Sequence, residues 1–64
     1  MNLKDPELTI GQSVKFSPDS HAEYDAQVIT CEWNAKALDW EYRLRAGTYE
    51  FGPYTYVALS FLMR

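Results

Sequence analysis

The residues with most chemical potential in this chain lie between Asp19 and Asp25, where three carboxylates, one tyrosine and the chain's single histidine, His21, share a short polar stretch (DSHAEYD). Carboxylates and imidazole are metal ligands. A metal site, however, needs a second histidine, a cysteine pair or the glycine-turned spacing of an EF-hand, and the chain has none of these. The expectation is no metal and no cofactor. What remains for Asp19, Glu23 and Asp25 is a solvated acidic loop or an acidic rim that faces a basic partner. Nucleophilic chemistry is equally unsupported. Cys31 alternates into an apolar run and reads as a buried, inert thiol. Ser13, Ser17, Ser20 and Ser60 have no recognisable elbow or base partner, and three glycines are too few for a phosphate cradle. The chain is therefore expected not to be an enzyme.

Tyrosines supply the other candidate surface. Tyr24, Tyr54 and Tyr56 fall outside the cleanest core pattern, where they could line a groove for an extended peptide or a cage for a cation. They could equally cap the ends of a small domain with their hydroxyls in water. Taken with the acids, the expected partner-binding patch is Asp19, Glu23, Tyr24, Asp25, Tyr54 and Tyr56. Trp33 and Trp40 could stack bases, but they alternate with charged neighbours in an acidic chain, and core packing is the expected role.

These side chains must be positioned by β-structure. Ala26 to Trp33 (AQVITCEW) and Leu38 to Arg45 (LDWEYRLR) are β-patterned runs joined by a short polar connection. In the second, Trp40, Tyr42 and Leu44 alternate with Glu41, Arg43 and Arg45, the period of a half-buried strand. In the first, the same period selects Ile29, Cys31 and Trp33, and a hairpin through Asn34 to Asp39 would lay Trp33 beside Trp40. Upstream, Gly11 opens a strand over Gln12 to Phe16, with Val14 and Phe16 on one face. Ser17 to Asp25 is a long loop by its Pro, Ser and Asp content. Downstream, Ala46-Gly47 signals a tight turn. Thr48 to Phe51 is a short strand with Tyr49 and Phe51 on one face, and Gly52-Pro53 stops it. The tail from Tyr54 to Met63 is apolar on both alternating faces. It suits either an edge strand or a helical turn followed by a closing strand. The expected core is Val14, Phe16, Ile29, Cys31, Trp33, Trp40, Tyr42, Leu44, Tyr49, Phe51, Val57 and Leu59.

Composition sets the bounds. Sixty-four residues make one domain, and a chain of this size buries only about 60% of its unfolded surface. With 47% hydrophobic and 16% aromatic residues it is a folded globule, since aromatics bring roughly 150–250 Å² of burial each. Residues 1–7 are polar and aperiodic and read as a loose arm, which leaves residues 8–64 as the domain. Nine acids against six scattered bases give a net charge of −3. That balance disfavours nucleic acid, which needs clustered cations, and favours a protein partner with a basic surface. A single cysteine excludes an internal disulfide. No apolar run approaches the roughly 20 residues of a membrane span and no signal-peptide core is present. The expectation is a soluble cytoplasmic protein of undetermined oligomeric state.

The order of elements, with the words IGQSVKF, YDAQVITCEW and GPYTYVALSFL, resembles SH3-like small barrels of Tudor-like and KOW-like type across nearly the whole chain. The resemblance implies an all-β, five-stranded barrel, with or without one helical turn before the last strand. It also implies that the first long loop edges a ligand groove. The Ala-Leu-Tyr-Asp-Tyr-like opening of proline-peptide SH3 domains is missing. Plasmid-type dihydrofolate reductases share the architecture, but their Val-Gln-Ile-Tyr signature would fall where this chain has Tyr54-Thr55-Tyr56-Val57, without the glutamine. Architecture is what such a likeness conveys. The expected function is a non-enzymatic protein-binding module. The alternative is an inhibitor of phage or mobile-element type that blocks a nucleic-acid-binding protein by charge mimicry.

Overall fold

The computed structural model describes residues 4–19 and 22–63. Four strands, β1 (Ser13–Phe16), β2 (Tyr24–Asn34), β3 (Asp39–Ala46) and β4 (Tyr49–Thr55), form one antiparallel sheet in the order β1-β2-β3-β4, and a helix, α1 (Tyr56–Leu62), follows. The connections follow local chemistry. At the β2–β3 corner the Asn34 side-chain oxygen accepts from the backbone N–H of Lys36 and Ala37 at 2.9 and 3.0 Å, an Asx-type turn. Leu38 completes that corner at φ 53°. At the β3–β4 corner Ala46 pairs with Tyr49 around a two-residue loop whose first residue, Gly47, has φ 63°. Glycine at that position is what a twisted hairpin turn asks for.

The centre of the sheet is the β2–β3 hairpin, and it pairs Trp33 with Trp40 as expected, ring centroids 5.5 Å apart and near perpendicular. One strand departs from strict alternation. The register runs Val28↔Leu44 and then Thr30↔Arg43, so Ile29 is an extra residue, a β-bulge. The bulge shifts the phase of β2 by one. Ala26 and Val28 on one side of it, and Cys31 opposite Tyr42 on the other, all meet the core. The expectation that Ile29 is a core residue is corrected on this ground: Ile29 is half-buried, while Val28 is 1% exposed.

The buried apolar residues are Leu8, Val14, Phe16, Ala26, Val28, Tyr42, Leu44 and Leu59. Cys31, Trp40 and Phe51 pack against them half-buried, and Trp33 is also half-buried. Tyr49 and Val57, both expected inside, are 65% and 59% exposed. Tyr49 keeps the inward phase but sits beside the hairpin turn, past the last core layer. Val57 is outward because its segment is helical, where a period of 3.6 turns Leu59 inward and leaves Val57 and Phe61 out.

The all-β class holds, but the described residues form an open four-stranded sheet and not the closed five-stranded barrel expected from the sequence. The difference arises after Phe51. Gly52-Pro53 does not stop β4. It forms a cis peptide inside the strand, at a register shift between Tyr42↔Tyr54 and Leu44↔Phe51. β4 is an edge strand, where the missing proline N–H leaves no partner unsatisfied. The tail then takes neither of the two forms considered for it. Tyr54 and Thr55 finish β4, and the rest is helix. Thr55 caps α1, its hydroxyl accepting from Ala58 N–H at 3.3 Å. α1 seats Leu59 in the core and is tied to the residue after β1 by one backbone hydrogen bond, Ser17 N–H to the Leu62 carbonyl at 2.7 Å. No described helix is long and apolar enough to cross a membrane.

The segment expected to be a loose arm is engaged with the sheet from Lys4 onward. The Glu7 and Leu8 N–H groups donate to the Tyr42 hydroxyl at 2.9 and 3.3 Å, and the Trp40 indole donates to the Lys4 carbonyl at 2.6 Å. Residues 1–3 of that arm lie outside the described residues.

Candidate functional site

Antiparallel pairing of β1 with β2 places Phe16 opposite Tyr24. Phe16 is enclosed at 1% exposure and becomes the hub of an aromatic cluster. Tyr24, Phe51 and Tyr54 surround it with ring centroids at 6.2, 5.1 and 6.2 Å, and Tyr24 also meets Phe51 at 5.1 Å. Phe51 and Tyr54 reach the hub from the same strand because of the extra residue at the Gly52-Pro53 shift. The three outer rings are half-buried, each showing part of its surface to solvent. Edge-to-face and tilted packing of this kind suits the ring quadrupoles and holds the exposed portions still.

Of the six residues expected to bind a partner, Tyr24 and Tyr54 therefore converge on one hub. Tyr56 packs elsewhere, against Tyr42 at 6.4 Å. Glu23 and Asp25 are exposed on either side of Tyr24 in the chain, and Asp25 stands opposite Lys15 in register. Asp19 accepts from the Ala22 N–H at 3.0 Å, a turn contact at the loop's tip. His21 and Ser20, which entered the sequence reading as a ligand and a nucleophile to be weighed, lie outside the described residues. Among the described residues no three His, Cys, Asp or Glu side chains assemble into a metal-holding group, and no concave pocket is present. Burial pushes the Cys31 thiol above its ordinary value.

The sequence reading missed a second constellation. Asp39 is 3% exposed. Its Oδ1 accepts from Trp40 N–H at 2.8 Å and pairs with Lys4 Nζ at 3.0 Å, and its Oδ2 accepts from Val57 N–H at 3.1 Å. Burial pushes the carboxyl up, yet the Lys4 ammonium and the two backbone donors outweigh it and hold Asp39 below its ordinary value. The neighbouring Tyr42 is fully buried, and desolvation raises its phenol even though two backbone N–H groups favour the ionised form. Asp39 follows Leu38 in the outward phase of β3, so alternation alone placed it in water. No sequence signal marks it, because its burial depends on α1 and on residues 4–8.

No protein-family model, no curated protein and no solved structure matches this chain.

Proposed function

We propose that this chain is a small non-enzymatic binding module that recognises a protein partner with a basic surface through its acidic and aromatic face. The observation that carries the reading is the half-open cluster of Tyr24, Phe51 and Tyr54 on the buried Phe16 hub; Glu23 and Asp25, the chain neighbours of Tyr24, are exposed, Asp25 on the outward face of β2 across from Lys15. Rigid aromatic rings supply contact area at small entropic loss, and flanking acids steer a cationic partner. Asp19 and Tyr56, expected from the sequence in the same patch, are not part of this cluster: Asp19 accepts from Ala22 N–H in the first loop and Tyr56 packs on Tyr42. The four-stranded antiparallel meander with its long first loop accords with the SH3-like reading, α1 following β4 in the chain where that reading has the fifth strand. A soluble, cytoplasmic setting accords with the single cysteine and acidic balance.

The test is an affinity capture from the native host, followed by kinetics with the recovered partner. Charge reversal of Glu23 and Asp25 should slow association several-fold and flatten its salt dependence. Tyr54→Ala should speed dissociation about tenfold or more while the domain stays folded. Full-strength binding by the triple variant would remove the proposal.

A second reading is an inhibitor that occupies the nucleic-acid site of a basic protein. It draws on Glu32, which stands directly across from Glu41 on β2 and β3, an unfavourable pairing of like charges that a cationic partner would relieve. Competition of the captured partner against a DNA or RNA duplex separates the two, since only an inhibitor displaces nucleic acid.

A further inference from the structure

Residues 4–8 are attached in an unusual way for a structural segment. Lys4, Asp5, Pro6 and Glu7 are exposed, and only Leu8 is buried, at 6%. Attachment comes instead from polar contacts. Trp40 Nε1–H donates to the Lys4 carbonyl at 2.6 Å, Lys4 Nζ pairs with Asp39 Oδ1 at 3.0 Å, and the Tyr42 hydroxyl accepts from Glu7 and Leu8 N–H at 2.9 and 3.3 Å. All but the ion pair engage the backbone of the segment. They recognise the course of a chain and not its side chains. Side-chain identity enters at three places: the cation that meets Asp39, the proline that fixes its own φ and biases the preceding residue toward an extended conformation, and the apolar residue that fills the core beside Tyr42.

We propose that Asp39, Trp40 and Tyr42 form a docking site for a peptide carrying a cation, a proline two residues later and an apolar residue four residues later, the chain bending at the last two of its five positions, and that residues 4–8 occupy this site as an intramolecular stand-in. Trp40 supplies the donor for the peptide carbonyl, Tyr42 the acceptor for two peptide N–H groups, and Asp39 the buried counter-charge. Asp39 also accepts two bonds in which the segment takes no part, from Trp40 N–H and Val57 N–H. The attached segment competes as a tethered ligand at an effective concentration on the millimolar scale. An incoming peptide must reach that strength or have the segment loosened first. This site uses residues other than the Phe16 cluster and stands or falls independently of it.

The test is nuclear magnetic resonance of the full chain carrying Lys4→Glu, which sets a carboxylate against Asp39. The probe is the acetylated, amidated hexapeptide Lys-Asp-Pro-Glu-Leu-Thr, the sequence of residues 4–9. The expected result is at least a tenfold loss of exchange protection at the Trp40 indole N–H, restored saturably by the peptide. The variant should bind the peptide at least fivefold more tightly than the wild type, and a peptide with Glu in place of Lys should not bind. An indole as protected in the variant as in the wild type would overturn the proposal, because the segment would then not be releasable. So would collapse of the variant's spectrum, or a freed indole that several millimolar peptide leaves unmoved. Dimer-sized diffusion of the wild type with a protected indole would give the site to residues 4–8 of a second copy and overturn the intramolecular assignment.

Discussion

Asp39 shows how one side chain can join three parts of a small fold. Its carboxylate bonds β3 to itself at Trp40, to the first turn of α1 at Val57 and to the N-terminal segment at Lys4. A buried charge survives only when paired and hydrogen-bonded, and removing its function leaves buried donors without acceptors. Asp39→Asn should therefore destabilise the domain by about 1–3 kcal/mol in denaturant melts at neutral pH. The pH dependence has a definite sign. Because the folded value lies below the unfolded one, about 3.9, the contribution is fully present above about pH 5. It is lost as pH falls through the lower, folded value. Melts across pH 2–7 should show the wild type losing its advantage over Asp39→Asn at the acid end. An advantage that persisted undiminished at the lowest pH would show that the carboxylate's charge is not what holds the three parts together.

At the scale of elements, β4 is decided by Gly52. Its φ of 105° belongs to the region that favours glycine, and a Cβ there would lie 2.8 Å from the Tyr42 carbonyl oxygen, a backbone atom of the neighbouring strand. That oxygen cannot yield without disturbing the β3–β4 ladder. Gly52→Ala should thus lower stability by about 2–4 kcal/mol. The change should also loosen the Phe16 cluster, since the register shift at Gly52-Pro53 is what brings Phe51 and Tyr54 to the same ring. Near-ultraviolet circular dichroism, which reports fixed aromatic packing, should weaken in the variant before the far-ultraviolet strand signal does. Retained near-ultraviolet intensity with full stability would refute the role assigned to this residue.

For the molecule as a whole, principal extents of 40 × 21 × 15 Å describe a body one sheet and one helix thick, which explains why so few side chains are fully enclosed. Charge also belongs to this scale. Nine acids against six bases give −3, and among the described residues Lys4 and Arg45 already pair with Asp39 and Glu50. The Arg45 pair is exposed on both sides, worth about 0–1 kcal/mol, and leaves no cationic strip. Polarisation titrations with DNA or RNA duplexes at physiological salt should show no binding at micromolar protein. Micromolar affinity would replace the protein-partner reading with a nucleic-acid one.

What the sequence by itself determined is whatever depends on neighbours within a strand or a turn. The alternation of Trp40, Tyr42 and Leu44 was enough for the central hairpin, the Trp33–Trp40 pairing and the all-β class, and Gly47 was enough for its turn. Only the tertiary structure decided the rest. A bulge at Ile29 changes which face β2 presents, and alternation cannot register an inserted residue that shows itself only in the pairing with β3. Tyr56 to Leu62 is apolar in a way that fits strand or helix, and the choice fell to the cap at Thr55 and the seat for Leu59. Asp39 carries an outward pattern and is buried all the same, because α1 and residues 4–8, distant in sequence, close over it and supply the donors that make a charge tolerable there.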